Sequence, residues 1–377
     1  MRSIKKISSL KGKRVLLRCA LNVPMKDGKV AGMFRLEQAL PTIHYLQKKG
    51  ARVILIGHLG DNGTESLRPV CDALKAVVPF LEFCPVSTGK EAHMAVEKMK
   101  DGDSLMLENL RWMKGEKEND HHFASELAGL ADIFVQDSFD VCHRKHASVV
   151  GLPEFLPSYA GFLVEEEVKQ LKKALKPKRP ALAIVAGAKF STKEPVLHAL
   201  LGGYDHVFVA GALANDLLKA EGYFVADSLV SGGDDHGMRE LTKNSHILLP
   251  KDALVARKDA RAQDAQEVLV SHIPEHTAIL DVGPQTIDYL RPFIKKAKLI
   301  LWNGTLGRYE NGFIEGTHAL ALEILATKVH SIIGGGDTVT ALDELGLTKK
   351  FSFVSTGGGA MLDFLAQGTL PGLDALK

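Results

Sequence analysis

Short apolar runs alternate with amphipathic helical segments along this chain, and this alternation constrains its fold more than any other feature. In the first half, apolar runs begin at Arg14, Arg52 and Ser104, and helical spacing extends from Phe34 to Lys49. Near-continuous apolar strands separated by helices are typical of parallel sheets that helices cover on both faces. The alternation therefore predicts a doubly wound α/β fold.

The second half restarts the same alternation after a charged, proline-punctuated helical segment from Val164 to Leu175. Because domains commonly contain about 100–200 residues, the 377 residues of the chain suffice for two sheets with a cleft between them. We predict an N-terminal domain over residues 1–157, a hinge helix over 158–176 and a C-terminal domain over 177–360. The strands expected in the second parallel sheet lie in Ala181-Leu-Ala-Ile-Val-Ala, Val207-Phe-Val-Ala, His246-Ile-Leu-Leu, Ala278-Ile-Leu-Asp, Leu299-Ile-Leu-Trp and Ser331-Ile-Ile.

Charge and hydropathy argue against several classes of function. Lys and Arg number 47 against 45 Asp and Glu, so we expect no general affinity for nucleic acid or for an acidic membrane surface. No apolar run reaches the ~18–20 residues that a membrane span needs, and the basic N-terminus lacks the apolar part of an export signal. The cysteines Cys19, Cys71, Cys84 and Cys142 lack metal-site spacing, which predicts buried free thiols and a cytoplasmic protein.

Glycine-rich turns follow apolar runs at four places in the second half: Ala186-Gly-Ala-Lys, Ala210-Gly-Ala-Leu, Gly334-Gly-Gly-Asp and Gly357-Gly-Gly-Ala. Ligands of open α/β sheets bind at the carboxyl ends of strands, and helix N-termini offer N–H groups and partial positive charge to phosphate. Four such turns in one domain favour an anion or nucleotide site over tight packing turns. None matches a Walker A or GxGxxG motif, so an ordinary P-loop or dinucleotide site is not predicted.

Three charged residues next to these turns are candidates for phosphoryl chemistry. Lys189 and Lys193 flank a predicted helix start, where Ser191 and Glu194 fit a capping box. Lysines so placed can reach a transferring phosphoryl group, although a pair of solvated surface lysines has the same spacing. Asp337 follows three glycines, which suits either a helix N-cap or a ligand of Mg²⁺ that keeps most of its coordination for nucleotide and water.

Basic residues in the first half follow strand ends or stand at helix starts, at Arg35, His58, Arg111 and within Asp137-Ser-Phe-Asp-Val-Cys-His143-Arg144-Lys145-His146. Placed on one edge of a sheet, they predict a pocket for a small anion. A metal pair at His143 and His146 is the alternative, for which the sequence offers no evident third ligand.

Ordered segments over essentially the whole chain carry a family resemblance. The chief ones are Lys13-Arg-Val-Leu-Leu-Arg, Asn22-Val-Pro, His58-Leu-Gly, Leu107-Glu-Asn-Leu-Arg, His143-Arg-Lys-His-Ala-Ser, Gly187-Ala-Lys, Asp281-Val-Gly-Pro, Trp302-Asn-Gly, Gly334-Gly-Gly-Asp-Thr and Ser355-Thr-Gly-Gly-Gly-Ala. In these segments the chain resembles the phosphoglycerate kinases. The resemblance implies two Rossmann-like domains joined by a hinge helix, with residues 361–377 packing back on the N-terminal domain. It also implies a cytoplasmic, monomeric enzyme of glycolysis that transfers a phosphoryl group between ATP, bound with Mg²⁺, and 3-phosphoglycerate.

Carried over by position, the resemblance implies two groups of site residues. The acceptor pocket would contain Asn22, Arg35, His58, Arg111, His143 and Arg144. The nucleotide site would contain Gly187, Lys189, Lys193, Gly211, Gly283, Asn303, Glu310, Gly335, Gly336, Asp337 and Thr338. Among these, Arg35 would hold the acceptor carboxylate, Glu310 would face the ribose and Asp337 would bind the metal. Arg35, Lys189, Lys193 and Gly336 would be catalytic.

Three residues of the acceptor half depart from the family pattern. Ala20 replaces an aspartate expected to accept a hydrogen bond from the glycerate hydroxyl, and Asp61 replaces a substrate-binding arginine. Asp140 stands where glycine is usual, and whether Arg68 replaces the lost positive charge is open. These departures leave two alternatives to an ordinary kinase of the family: an enzyme for a different small carboxylate, and a nucleotide-binding pseudoenzyme with a regulatory role.

Overall fold

A six-stranded, wholly parallel sheet forms the centre of each of the two units of the chain. The computed structural model describes residues 1–232 and 235–376; Gly233, Asp234 and Lys377, the last residue of the predicted tail, lie outside the described residues. One unit contains Met1–Lys169 and the C-terminal residues from Thr369, and the other contains Gln170–Gly368. The chain passes between them inside the helix Phe162–Leu175 and again after Gly368, later than position 361 where the predicted tail begins. The predicted fold class, two doubly wound parallel-sheet units, is confirmed.

The strands of the first unit are β1 Arg14–Cys19, β2 Met25–Lys26, β3 Lys29–Val30, β4 Arg52–Ile56, β5 Leu81–Phe83, β6 Ser104–Met106, β7 Ile133–Asp137 and β8 Ser158–Ala160, of which β2 and β3 form a separate hairpin. The other six form the parallel sheet in the order β5-β6-β4-β1-β7-β8. The central strands β1 and β4 are buried on both faces, as parallel strands between helix layers must be. The helices are α1 Phe34–Lys48, α2 Arg68–Leu74, α3 Gly89–Glu97, α4 Lys114–Glu118, α5 His121–Ala128, α6 Leu152–Phe155, α7 Phe162–Leu175 and, near the C-terminus, α15 Pro371–Asp374.

The strands of the second unit are β9 Ala181–Ala186, β10 His206–Ala210, β11 Ile247–Leu248, β12 Asp252–Ala256, β13 Gln266–Leu269, β14 Ala278–Val282, β15 Leu299–Asn303, β16 His330–Gly334 and β17 Phe353–Val354. Its parallel sheet has the order β11-β10-β9-β15-β16-β17. Its helices are α8 Phe190–Leu201, α9 Ala212–Ala220, α10 Asp235–Thr242, α11 Pro284–Lys296, α12 Glu315–Leu325, α13 Gly336–Glu344 and α14 Gly359–Gln367. The strand order reverses between β9 and β15, and such a switch point opens a crevice at the carboxyl ends of the strands.

One strand predicted for the second parallel sheet lies elsewhere. The Ala278–Val282 strand pairs antiparallel with β12 in a separate three-stranded sheet. Its apolar run identifies a buried strand, but hydrophobicity alone does not select the partner or the direction of pairing.

Two predicted helix caps are wrong as well. Helix α8 begins at Phe190 with Lys189 at its N-cap, so Ser191 lies inside the first turn and forms no capping box. Helix α13 begins at Gly336 after Gly335, which leaves Asp337 in the first turn rather than at the N-cap.

Two further expectations concern the cysteines and the membrane. Cys19, Cys71, Cys84 and Cys142 are buried free thiols, as predicted. Within the described residues, no helix combines the length and the apolar character needed to cross a bilayer.

Candidate active site

The predicted acceptor residues gather at the carboxyl edge of the first sheet. Asn22 follows β1, and its side-chain Oδ1 accepts a hydrogen bond from the Gly60 backbone N–H, which follows β4, at 3.0 Å. The Asn22 carbonyl oxygen accepts another from Nη1 of Arg35, in the first turn of α1, at 2.6 Å. Two strand ends and one helix start are thereby joined at Asn22.

His58 is a neutral hydrogen-bond donor in this cluster. It is 2% exposed, and its Nδ1 lies 3.3 Å from Nη2 of Arg18. Because a guanidinium can only donate, Nδ1 accepts and the ring proton resides on Nε2. Burial, followed by the charges of Arg18 and Arg111, holds the pKa of His58 well below its ordinary value. The ring can therefore offer Nε2–H to an anion without carrying a charge itself.

Arg111 is held by the same loop that supplies His58. Its Nη1 donates to the Gly60 carbonyl oxygen and to Oδ1 of Asp61, both at 2.7 Å. The Arg111 side chain is 9% exposed whereas that of Asp61 is 91% exposed. The hydrogen bond and charge of Arg111 lower the pKa of Asp61. The Asp61 carboxylate therefore remains ionised and bound to Arg111, a predicted substrate-binding residue.

His143 and Arg144 stand in the turn that follows β7. His143 is half-buried, and Arg144 is exposed, with its charge acting on both Asp61 and His146. In the part of the chain that the structure describes, no three or more His, Cys, Asp or Glu side chains are arranged to hold a metal ion. The pair of His143 and His146 thus acquires no third ligand there.

Arg18 organises a buried network that the sequence reasoning missed. It is 1% exposed and donates from Nε to Oγ of Ser148 at 2.9 Å and from Nη1 to Oγ of Ser138 at 3.3 Å. Ser148 in turn donates to the buried carboxylate of Glu116, and Ser138 donates to Asp140. A charged residue inside the apolar run of β1 was the available signal, because such a residue has to be paired.

Arg68 does not supply the charge that position 61 lacks. Its guanidinium lies over the ring of Phe83, 4.2 Å from the ring centre. The cation that reaches the backbone of Asp61 is Lys117, whose Nζ donates to the Asp61 carbonyl oxygen at 2.6 Å. Lys117 is remote from Asp61 in the chain, so the sequence pattern does not indicate this contact.

In the second unit, Lys193 lies at the switch point between β9 and β15. Its Nζ donates to Oδ1 of Asn303, the last residue of β15, at 3.1 Å. Burial lowers the pKa of Lys193 to about 8, and the charge of Asp337 opposes that shift. A partly desolvated ammonium next to a carboxylate is suited to an anionic ligand that restores its lost solvation.

Glycines bring the turns of this edge into close contact. A Cβ on Gly187 would lie 3.0 Å from Cε of Lys193, and a Cβ on Gly211 would lie 3.2 Å from the Gly187 backbone nitrogen. Gly211 and Gly335 also have φ angles of +65° and +100°, which side chains disfavour. Buried Thr338 accepts from the backbone N–H of Gly304 through Oγ1 at 2.9 Å.

A cavity of about 460 Å³ lies against these turns, a size common for small-molecule sites. Of the predicted nucleotide residues, Gly187, Gly211, Glu310 and Asp337 line it. The cavity wall also contains apolar side chains, among them Leu218, Leu229, Val270, Ile279, Leu280 and Leu306.

Two predicted residues have other contacts. Gly283 permits close approach of the Asp252 carboxylate, since a Cβ there would lie 2.3 Å from Oδ2. Glu310 is exposed and lies 3.5 Å from Nε of Arg308. Lys189 and Gly336 are exposed at the starts of α8 and α13.

We expect Gly304→Ala to disrupt this edge. Gly304 has a φ of +102°, and an added Cβ would lie 2.3 Å from the Ala186 carbonyl oxygen. The substitution should lower the free energy of unfolding by about 3 kcal/mol or more. Gly312→Ala is the matched control, because Gly312 has a φ of +86° but its Cβ would meet only Ala262 at 4.0 Å; it should cost about 1 kcal/mol. Urea unfolding compares the two, and equal losses would contradict the role of close packing.

Comparison with known proteins gives concordant results. A family model described as phosphoglycerate kinase matches residues 4–368. Phosphoglycerate kinase of Chelativorans sp. (strain BNC1) is 39% identical over 401 residues, covering 100% of both chains, and that of Pelotomaculum thermopropionicum is 40% identical over 380 residues, covering 97% of each. The solved phosphoglycerate kinase structure from Coxiella burnetii has a TM-score of 0.83 at 36% identity, covering 99% of this chain and 98% of that one. The structure from Pyrococcus horikoshii OT3 has a TM-score of 0.89 at 28% identity, with coverages of 100% and 98%.

Proposed function

The chain belongs to the phosphoglycerate kinase family, and we propose that it is an active kinase of that family. It transfers a phosphoryl group reversibly between ATP and the carboxylate of 3-phosphoglycerate. The observation that carries this proposal is the half-buried Lys193 ammonium beside Asn303 at the β9/β15 switch point, where burial lowers the pKa of Lys193 and the charge of Asp337 opposes that shift. Phosphoryl transfer depends mainly on positioning and charge neutralisation, and this arrangement supplies both.

The first unit is proposed to bind the acceptor. Arg35 holds the carboxylate through a guanidinium fork, which suits planar two-point recognition. His58 donates from Nε2 as a neutral group, and Arg111 and Arg144 contribute positive charge. Asn22 positions Arg35 and the Gly60 turn relative to each other.

The second unit is proposed to bind the nucleotide. The 460 Å³ cavity with its apolar wall accommodates the base and sugar, and the starts of α8 and α13 present backbone N–H groups to phosphates. Lys193 and Lys189 then stabilise charge on the transferring group. A magnesium ion bound with the nucleotide would neutralise charge on the phosphate oxygens.

Asp337 fits such an ion. It is an exposed carboxylate in the first turn of α13. A single protein carboxylate suits Mg²⁺, which takes its remaining ligands from phosphate and water.

We further propose that α7, in which the chain passes from one unit to the other, acts as the hinge that lets the two substrates meet. Because one chain carries both candidate sites, a monomer is the proposed working form. The cytoplasm, where glycolytic substrates occur, is its proposed location.

A coupled assay with 3-phosphoglycerate and Mg-ATP tests the proposed function. Wild-type protein should show turnover, and Arg35→Met should lower kcat/KM for 3-phosphoglycerate by about 100-fold while KM for ATP is unchanged. Folded wild-type protein that binds ADP but gives no turnover would contradict the proposal. A panel of other small carboxylates would then separate a changed acceptor from a pseudoenzyme.

A further inference from the structure

We propose that Lys117 is a substrate-binding residue of the acceptor site, where its ammonium contacts the phosphate group of 3-phosphoglycerate. In this role it replaces the positive charge that Asp61 removes from the Gly60 turn. The inference rests on the proposed function, because that function defines the acceptor.

Lys117 is an exposed residue whose ammonium contacts the acceptor cluster. It lies in α4, and its Nζ is 2.6 Å from the carbonyl oxygen of Asp61. The same Asp61 accepts from Arg111 through its side chain. One residue therefore holds two cations on neighbouring positions, one through its carboxylate and one through its backbone.

The turn that carries Asp61 is itself fixed in place. Asn109 donates from Nδ2 to the carbonyl oxygens of Leu59 and Glu65, both at 2.8 Å, and Trp112 donates from Nε1 to Glu65 at 3.0 Å. Gly63 lets the turn touch the backbone of Arg111, since a Cβ there would lie 2.3 Å from the Arg111 carbonyl oxygen. Lys117 thus binds to a fixed loop, which preserves its distance from Arg111.

Lys117, Arg111 and Arg144 form one electrostatic group. The charges of all three act on Asp61, and after burial and Arg18 they also contribute to lowering the pKa of His146 to about 4. Asp61 offsets only part of this positive charge, and its carboxylate is 91% exposed. A phosphate dianion carries more charge and more acceptor oxygens than this carboxylate, so it can share Arg111 and bind Lys117 at the same time.

The neighbouring cations have other partners. Arg68 stacks on Phe83. Lys114, in the same helix, lies 3.3 Å from Glu118, and its side chain is 88% exposed. Lys114 is therefore a matched control: the same residue type in the same short helix, without contact to the Asp61 turn.

The test compares wild type with Lys117→Met, Lys117→Arg and Lys114→Met. Calorimetry measures binding of 3-phosphoglycerate and of glycerate, which lacks the phosphate, and the coupled assay measures KM for both substrates of the kinase. Lys117→Met should weaken 3-phosphoglycerate binding about tenfold but leave glycerate binding and KM for ATP unchanged. Lys117→Arg should restore most of the loss, and Lys114→Met should behave as wild type.

Each outcome bears on one proposal or the other. Equal affinities of Lys117→Met and Lys114→Met for 3-phosphoglycerate would overturn the role of Lys117, as would an equal loss of glycerate binding. Lys117-dependent binding by a wild-type protein that shows no turnover would support Lys117 and contradict the proposed kinase activity. Turnover in wild type that does not depend on Lys117 would support the proposed kinase activity and contradict the role of Lys117.

Discussion

Lys193→Met should lower kcat by about 100-fold or more, and it should raise the free energy of unfolding at pH 7 by about 1 kcal/mol. The activity falls because the ammonium that stabilises the transferring phosphoryl group is gone. The stability rises because methionine fills a similar volume without a desolvated charge. Asn303, which is 3% exposed, loses its hydrogen-bond donor, and that loss offsets part of the gain.

The difference in unfolding free energy between Lys193→Met and wild type should decrease as the pH rises. Burial lowers the pKa of Lys193 to about 8 in the folded protein, whereas the unfolded value is about 10.4. Between these values the unfolded state binds the proton and the folded state does not, so the wild-type protein becomes more stable as the pH rises through this window. The advantage of the methionine variant should therefore shrink above pH 8.

Urea unfolding at pH 7 and pH 9.5, together with single-turnover kinetics, measures both effects. Lys189→Met is the control for stability, because Lys189 is exposed and its replacement should leave the unfolding free energy within about 0.5 kcal/mol. A lower free energy of unfolding for Lys193→Met than for wild type at pH 7 would show that the hydrogen bond to Asn303 outweighs the desolvation of Lys193. Unchanged kcat would remove Lys193 from the catalytic set.

The parallel architecture was predictable because its determinants are local. Strands such as β9 and β15 are apolar throughout, and the glycine after each strand marks where the backbone turns toward the site. The direction of pairing is not local, which is why Ala278–Val282 was assigned to the wrong sheet. Its antiparallel pairing with β12 depends on the path of the chain between the two strands. The hydrophobic pattern of five residues carries no information about that path.

The residues of the candidate site also differ in whether local sequence or long-range packing determines their position. A residue placed by a strand end, such as His58, can be predicted from sequence because the strand fixes its edge of the sheet, whereas Asn303 is implied by the family resemblance. Residues placed by long-range contacts cannot be predicted in this way. Glu116 is brought to Arg18 through Ser148, and Lys117 is brought to Asp61, by packing between segments far apart in the chain.

Asp61 illustrates how context changes the meaning of a substitution. From sequence, a negative charge in place of a positive one predicts a weakened anion pocket. In the structure its charge is paired with Arg111 and its backbone holds Lys117. The local charge balance is therefore set by three residues together, which no single position can indicate.

Arg18→Met should lower the free energy of unfolding by about 3 kcal/mol. The guanidinium is 1% exposed and donates to Ser148, Ser138 and the backbone of Cys19, as well as to His58. Methionine fills the space but leaves these buried acceptors without their donor, and it removes the positive charge that balances the buried Glu116. Arg52→Met is the control, because Arg52, on the adjacent strand, forms a half-exposed pair with Asp101 at 3.2 Å; its loss should cost less than about 1 kcal/mol.

A histidine titration separates this loss of charge from a simple packing defect. Burial and then Arg18 lower the pKa of His58, so as the pH falls below about 6.5 the unfolded state binds a proton that the folded state rejects, and wild-type stability decreases. In Arg18→Met the pKa of His58 should rise, and the stability difference between pH 7.5 and pH 5.5 should become smaller. NMR titration of the His58 ring and urea unfolding at the two pH values provide the measurements. An unchanged pKa of His58 would show that Arg18 acts through packing alone. The charge of Arg18 would then not be what keeps His58 neutral.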